Sequence, residues 1–356
     1  MSQSIYTRRT MLKAGAAWAS AAMLPAGESR TDDPRPPYEA PALVVFFLNG
    51  GPSGLFNSAG SFLEKGSFGV RPDNVKHLGR GLVVDAATFG SLPSTALSHM
   101  AAVNFQHGHY QHDLARAAVL QTGNRSNLLL LAGAMTTKAP IRCAVVNSLG
   151  FPVGVSLDSP AEGGAAFTRV TDVRSLGAQL ERTPAFDPKE AAAAYGSAQG
   201  IREIADTPST FLATEMLVRG GTSVVFSQPA YSGRPDRQFD THHSLDGALD
   251  RKIMSQLIPP LQVFLERIST LPNRNVVVAL FGEFSRSVST SDHEPGGTAT
   301  IIGKYVHCGS AGPQNPDGSM PPNTPGAGAL WAFLANALRL EDHPFGSNPN
   351  PELLLF

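Results

Sequence analysis

Asp240, Thr241, His242 and His243 put one carboxylate and two imidazoles into four consecutive positions. Carboxylate oxygen and imidazole nitrogen together are donors that hold zinc and related metals, and both lose hydration if buried without a partner. Asp240 and His242 are two apart, so an extended backbone sends both to one side, and these two are the expected ligands. His243 then faces away, toward solvent or a helix start. Asp292 and His293 are adjacent, which predicts different partners: two metals, or one metal and a hydrogen bond to another ligand. Glu283 is a candidate ligand or base, with a plain ion pair to Arg286 as the alternative. Arg286 carries the planar fork that suits phosphate, sulfate or carboxylate oxygens. Asn49 is a further candidate on the metal side, and Ser53 is the hydroxyl best placed by sequence to act as nucleophile. A metal held by such groups would polarise an ester oxygen or lower the pKa of a bound water. His107, His109 and His112 fall within six residues and are open between metal ligation and an exposed loop.

The elements that must position these groups read as alternating strands and helices. Leu43–Leu48 is an uninterrupted apolar run, expected as a strand buried on both faces, and it ends in Asn49-Gly50-Gly51-Pro52-Ser53-Gly54. Residues 60–95 read as irregular, followed by a short helix over Ser94–Ala102 with Ser94 as its cap. Helices are expected at Leu114–Gln121, Asn127–Ala134 and Asp172–Leu180, and over 184–219 with breaks near Gly196 and Pro208. Strands are expected at Arg142–Val146 and Thr222–Ser227. The apolar spacing of Leu245–Leu271 predicts an amphipathic helix, kinked at Pro259-Pro260. Asn275–Phe281 is the clearest strand and ends at Gly282-Glu283. Thr298–Tyr305 reads as a short strand and Gly326–Leu340 as a closing helix. The pattern is α/β, a mostly parallel sheet with helices on both faces. In such sheets functional groups collect outside the carboxyl ends of the strands, and Asn49, Asp240 with His242, and Glu283 each follow one.

Composition narrows the classes. Lys+Arg of 28 against Asp+Glu of 29 gives no basic surplus for nucleic acid, and 35 glycines with 28 prolines fit a loop-rich globular protein. Cys143 and Cys308 are too few and too far apart for a disulfide framework, so buried free thiols are expected. Thr7-Arg8-Arg9-Thr10-Met11-Leu12-Lys13 precedes a short apolar run, Ala14–Leu24. Paired arginines before a run too short to span a bilayer resemble a twin-arginine export signal. The expected organisation is therefore a signal over 1–30, a linker over 31–41 and one domain over 42–356. It places the protein in the periplasm or cell envelope, with the twin-arginine machinery as a partner and no membrane span in the mature chain.

These residues resemble an exported bacterial family catalogued as domain of unknown function 1501, related to the alkaline phosphatase and sulfatase superfamily. The resemblance covers roughly residues 5–340. Phe239-Asp240-Thr241-His242 is similar to the family's Trp-Asp-Thr-His, Gly282-Glu283-Phe284-Ser285-Arg286 to its Gly-Glu-Phe-Gly-Arg, and Asp292-His293 to its Asp-His pair. Leu48–Ser53 is similar to its first strand-end loop, and His112 with Thr122-Gly123 to its His…Thr-Gly stretch. Where many members follow that loop with a histidine and an aspartate, this chain has Gly54-Leu55-Phe56-Asn57. The resemblance implies an alkaline-phosphatase-like fold and a metal-dependent hydrolase of phosphate or sulfate esters, with zinc the expected metal. The departure at 54–57 motivates the alternative, a non-catalytic envelope protein that keeps the fold and binds a ligand or partner.

Overall fold

The computed structural model of the chain describes residues 39–51, 74–135, 137, 139–146, 152–173, 176, 186–196, 204, 206–229, 239–242, 248–286, 292–311, 314–315 and 319–355. The chain divides into residues 1–38 and 39–356, and all described residues belong to the second unit. The signal expected over 1–30, Ser53, the four positions after it and His243 lie outside the described residues, as does most of the helix expected at Asp172–Leu180.

Strand β1 (Ala40–Phe47) is buried along seven of its eight residues. Its alternate residues serve different cores: Val44 and Phe46 belong to one apolar cluster, Leu43, Val45 and Phe47 to the other. A strand so enclosed is the centre of a covered sheet, as its unbroken apolar run requires. A hairpin of β2 (Val75–Gly79) and β3 (Leu82–Asp85) follows. Its turn uses Arg80 and Gly81, both at positive φ. This hairpin falls where the sequence reads as irregular.

Next come α1 (Ser94–Ser98) and β4 (Met100–Gln106). The predicted helix over 94–102 is thus cut short, and Ser94 does not cap it; Pro93 precedes the helix without a side-chain bond. The alanines of Met-Ala-Ala-Val read as helix formers, but between two neighbouring strands they are buried as a strand, since tertiary pairing overrides local propensity. Helix α2 (His112–Leu120), the small β5 (Gln121–Thr122) and β6 (Arg125–Ser126), and α3 (Asn127–Ala134) lead to β7 (Cys143–Val146) and β8 (Phe167–Val170). Helices α4 (Pro188–Ala194) and α5 (Thr207–Arg219) come before β9 (Val224–Ser227). Pro208 opens α5 rather than breaking a helix. It stands in the first turn beside the Asp206–Ser209 capping box, where a missing N–H costs nothing. Helix α6 (Ala248–Ser269) runs through Pro259 and Pro260 and is followed by β10 (Arg274–Phe281). The chain ends with the two-residue strands β11 (Ser285–Arg286) and β12 (His293–Glu294), then β13 (Gly296–Gly303), β14 (Gly309–Ala311) and α7 (Ala327–Ala337).

Eight strands form one sheet in the order β14-β4-β13-β10-β1-β9-β7-β8. Its neighbouring pairs are parallel except those made by β13, which runs against both β10 and β4. One face is covered by α4, α5, α6 and the β2–β3 hairpin, the other by α2, α3 and α7. Phe46 meets Phe211 and Phe264 on the first side, and Phe47 meets Phe226 and Phe281 on the second. This is the α/β architecture expected from the alternating pattern. Cys143 and Cys308 are both free thiols. Among the described residues no helix is long and apolar enough to cross a membrane.

Candidate metal centre

The topology sends the chemistry-bearing loops to one edge. Strands β1, β4, β9 and β10 run the same way, so Asn49, the 107–112 segment, Asp240 and Glu283 all follow carboxyl ends on that edge. The reversed β13 enters the sheet there, so His293 arrives just before a strand instead of after one. Two glycines let the loops close in. Gly50 and Gly51 hold φ of 88° and 72°, and a Cβ on Gly50 would stand 2.4 Å from the Asp240 nitrogen. The Phe239 N–H also donates to the Asn49 carbonyl at 3.0 Å.

Four side chains converge here: His112, Asp240, His242 and His293 offer ligand atoms that all lie within 4.8 Å of one another. Asp240 is the hub. Its Oδ1 lies 3.0 Å from His242 Nε2 and 3.2 Å from His293 Nε2, and its Oδ2 lies 3.4 Å from His112 Nε2.

Each ring is held from behind by an oxygen on its other nitrogen. His112 Nδ1 is 2.8 Å from Glu283 Oε1, His293 Nδ1 is 2.9 Å from the Tyr110 carbonyl, and His242 Nδ1 is 3.4 Å from Asp292 Oδ1. A carbonyl or carboxylate on Nδ1 favours a proton on that nitrogen, so that Nε2 can carry a second proton toward Asp240 or give its lone pair to a metal. Three Nε2 atoms then face a carboxylate that is itself an acceptor. Acceptors set against one another need a proton or a cation between them, and imidazole with carboxylate is the donor set of zinc and its neighbours. The residues present therefore fit a divalent metal.

A buried layer supports the array. Glu283 is fully buried; its Oε1 accepts from Arg116 Nε at 2.9 Å and its Oε2 from the Gly50 N–H at 3.0 Å. Arg116 also donates to Asn49 Oδ1 at 2.6 Å. Arg286, fully buried, donates from Nη2 to Asp240 Oδ1 at 2.7 Å, to the Phe239 carbonyl at 3.0 Å and to the Gly50 carbonyl. It is the register partner of His293 across the β11–β12 ladder, so one short hairpin presents two groups to Asp240. Thr241, between two of the cluster residues, donates to the buried Asp250 at 2.9 Å.

Electrostatics follow from these contacts. Partial burial opposes ionisation of Asp240, but hydrogen bonds from His112, His293 and Arg286 outweigh it and hold the carboxyl far below its usual range. For Glu283 burial is again outweighed, by His112, the Arg116 charge and the Gly50 N–H, and its pKa is lowered. His112 between these two carboxylates is raised to about 9, first by Asp240 and then by Glu283. A proton and a metal ion compete for the same lone pair on it.

The structure brings Asp240, His242 and His293 together. Asp292 stands outside the cluster, two-thirds exposed, on the far side of the His242 ring. Asn49 serves Arg116, and Glu283 serves His112, Arg116 and Gly50. Arg286, expected to hold a substrate anion, is committed to Asp240 and backbone carbonyls instead, because the turn of Gly50 and Gly51 packs over it. Of the three early histidines, His112 joins the cluster. His107 instead places Nε2 2.6 Å from the Glu283 carbonyl, with burial lowering its pKa. Arg116 and Phe284 were missed as contributors. The spacing of His112 and Arg116, one turn apart on a helix, was the available signal.

No protein-family model matches the chain. No curated protein matches its sequence. Among solved structures it overlaps the lipoteichoic acid synthase LtaP from Listeria monocytogenes at 12% identity and TM-score 0.41, covering 87% of this chain and 75% of that one. It overlaps a protein of the alkaline phosphatase superfamily from Vibrio parahaemolyticus at 9% identity and TM-score 0.43, covering 87% and 69%. It overlaps BT1596, a 2-O GAG sulfatase, at 10% identity and TM-score 0.41, covering 88% and 74%. These likenesses are distant.

Proposed function

We propose that this chain is an exported metal-dependent hydrolase of phosphate or sulfate esters. The observation that supports it is the convergence of three imidazole Nε2 atoms on the Asp240 carboxylate, each ring braced by an oxygen on Nδ1. His112, Asp240, His242 and His293 would hold the metal. Three nitrogens with one carboxylate favour zinc over the all-oxygen sites that calcium and magnesium take. A metal so held supplies Lewis acidity toward an ester oxygen. The rest falls to the protein. Glu283, Asp292 and the Tyr110 carbonyl fix the rings, and Arg286 fixes Asp240. Because Glu283, Asp292 and Asn49 are spent on orientation, one metal per chain is the reading, not two. Ser53 stays the nominated nucleophile on sequence grounds. The signal-like leader supports export through the twin-arginine machinery to the periplasm or envelope.

The test is metal analysis of the purified chain with a screen of aryl phosphate and sulfate esters. One equivalent of zinc, and turnover abolished by Asp240→Ala, support the proposal. No bound metal and no loss of stability on chelation would sink it. A second reading, an envelope protein that binds a ligand without turning it over, is favoured by one observation: Arg286 and Arg116 are occupied inside the protein. Full metal occupancy with no turnover across the screen would select it.

A further inference from the structure

We infer that Phe284 is a positioning residue of this centre, fixing by ring contact the planes of two of its histidines; this rests on the metal reading above. Phe284 is 1% exposed. The His293 ring stacks on it with centroids 3.9 Å apart and planes within 10°. The His112 ring meets it at 5.1 Å and 73°. His293 is in turn 4.5 Å from both His112 and His242, so the cluster is a pile of rings with Phe284 at its base.

A hydrogen bond at Nδ1 sets which atom is the donor but leaves the imidazole free to rock about the axis through that bond. A flat neighbour removes this freedom, because stacked rings hold parallel planes and edge contacts hold tilted ones. The two restraints together define where Nε2 points.

Phe284 can act so only if it is immobile, and its backbone is clamped from two directions. His107 stands 2.6 Å from the Glu283 carbonyl, the peptide that leads into Phe284, and its ring meets Phe284 at 5.9 Å. On the other side the Phe284 carbonyl packs against Gly51, where a Cβ would come within 1.8 Å of it. The fourth histidine thus acts at one remove: His107 holds the peptide, the peptide holds the ring, and the ring holds His293 and His112.

The experiment is zinc titration of the full chain and of Phe284→Leu, which keeps apolar volume and loses the flat face. Expected is zinc affinity weaker by about ten- to a hundredfold, the range for losing an outer support of a metal ligand. The metal-free melting temperature should fall by a few degrees, for the lost packing, with the chain still folded. Phe284→Tyr, which keeps the ring, should return the affinity toward the parent value. Equal affinity in a folded Phe284→Leu protein overturns the inference. A second measurement needs no variant. In the metal-free parent, the carbon-bound protons of the His293 ring should show the upfield shift of a fixed stack over Phe284 in nuclear magnetic resonance. An unshifted, averaged ring overturns it. A parent chain that takes up no zinc while His293 stays stacked refutes the metal reading and leaves the positioning intact.

Discussion

Glu283 Oε1 lies 2.8 Å from His112 Nδ1, so a carboxylate buried beneath the site orients a ring on its surface. The same carboxylate takes Arg116 and the Gly50 N–H. Glu283→Gln keeps the shape but loses the charge that holds His112, and zinc affinity should fall about ten- to a hundredfold. Glu283→Ala strips acceptors from Arg116 and Gly50 as well, and should cost about 3–5 kcal/mol of stability. Zinc competition titration and denaturant unfolding of both variants separate the two effects.

Asp240 and Asp292 should differ in rank. Asp240 lies within reach of all three Nε2 atoms, whereas Asp292 meets His242 at Nδ1, the nitrogen turned away from Asp240. Asp240→Asn is expected to abolish stoichiometric zinc binding, and Asp292→Asn to weaken it by about tenfold. Equal losses from the two, measured by bound zinc per chain, would contradict the assignment.

The turn that seats Asp240 has no room for a methyl group. Gly50→Ala adds a Cβ within 2.4 Å of the Asp240 nitrogen, at a φ that costs a non-glycine residue about 1 kcal/mol or more. The variant should fold with lowered melting temperature and should lose zinc affinity disproportionately, because the displaced atoms are the backbone and Cβ that carry the hub carboxylate. Thermal melts with and without zinc report both.

Asp250 predicts a pH dependence. Burial raises its pKa from 3.8 to about 7, against the lowering by the Thr241 hydroxyl and Arg286. A carboxyl raised in the folded state favours the neutral form. Its stabilising contribution is therefore complete below about pH 4, falls as pH rises toward 7, and is gone above that. Asp250→Asn keeps a partner for Thr241 and should flatten stability over that window. Urea midpoints between pH 4 and pH 8 for parent and variant check the sign.

The parts of the fold that sequence could reveal are those where one local signal dominates. The apolar runs of β1 and β10, short and rich in valine and phenylalanine, read as buried strands, and α6 shows its helical period through two prolines. Strand β4 was hidden because its alanines score for helix, and only pairing with β13 and β14 makes it a strand. The hairpin β2–β3 was hidden because its outward strand, Val-Lys-His-Leu-Gly, has no strong apolar alternation. In the site, Asp240, His242 and His293 stand out because carboxylate and imidazole lie together in sequence. His112 does not, since its meaning depends on Glu283, 171 positions away. Arg286 is as opaque for the same reason: a guanidinium looks alike in sequence whether it faces solvent or lies beneath a glycine turn.

The pairing of β1 with β10 has a temporal meaning. Gly50 and Glu283, at the ends of these strands, are 233 positions apart, and the groups that would ligate a metal come from three distant stretches of chain. Contacts between such remote segments are slow to form, because a long loop must close before any contact repays its ordering. A chain still lacking β10 through β12 has neither the brace for His112 nor His293 itself. The cluster that could hold a metal is therefore a late product of folding, and an ion bound there would be added to a chain already nearly complete.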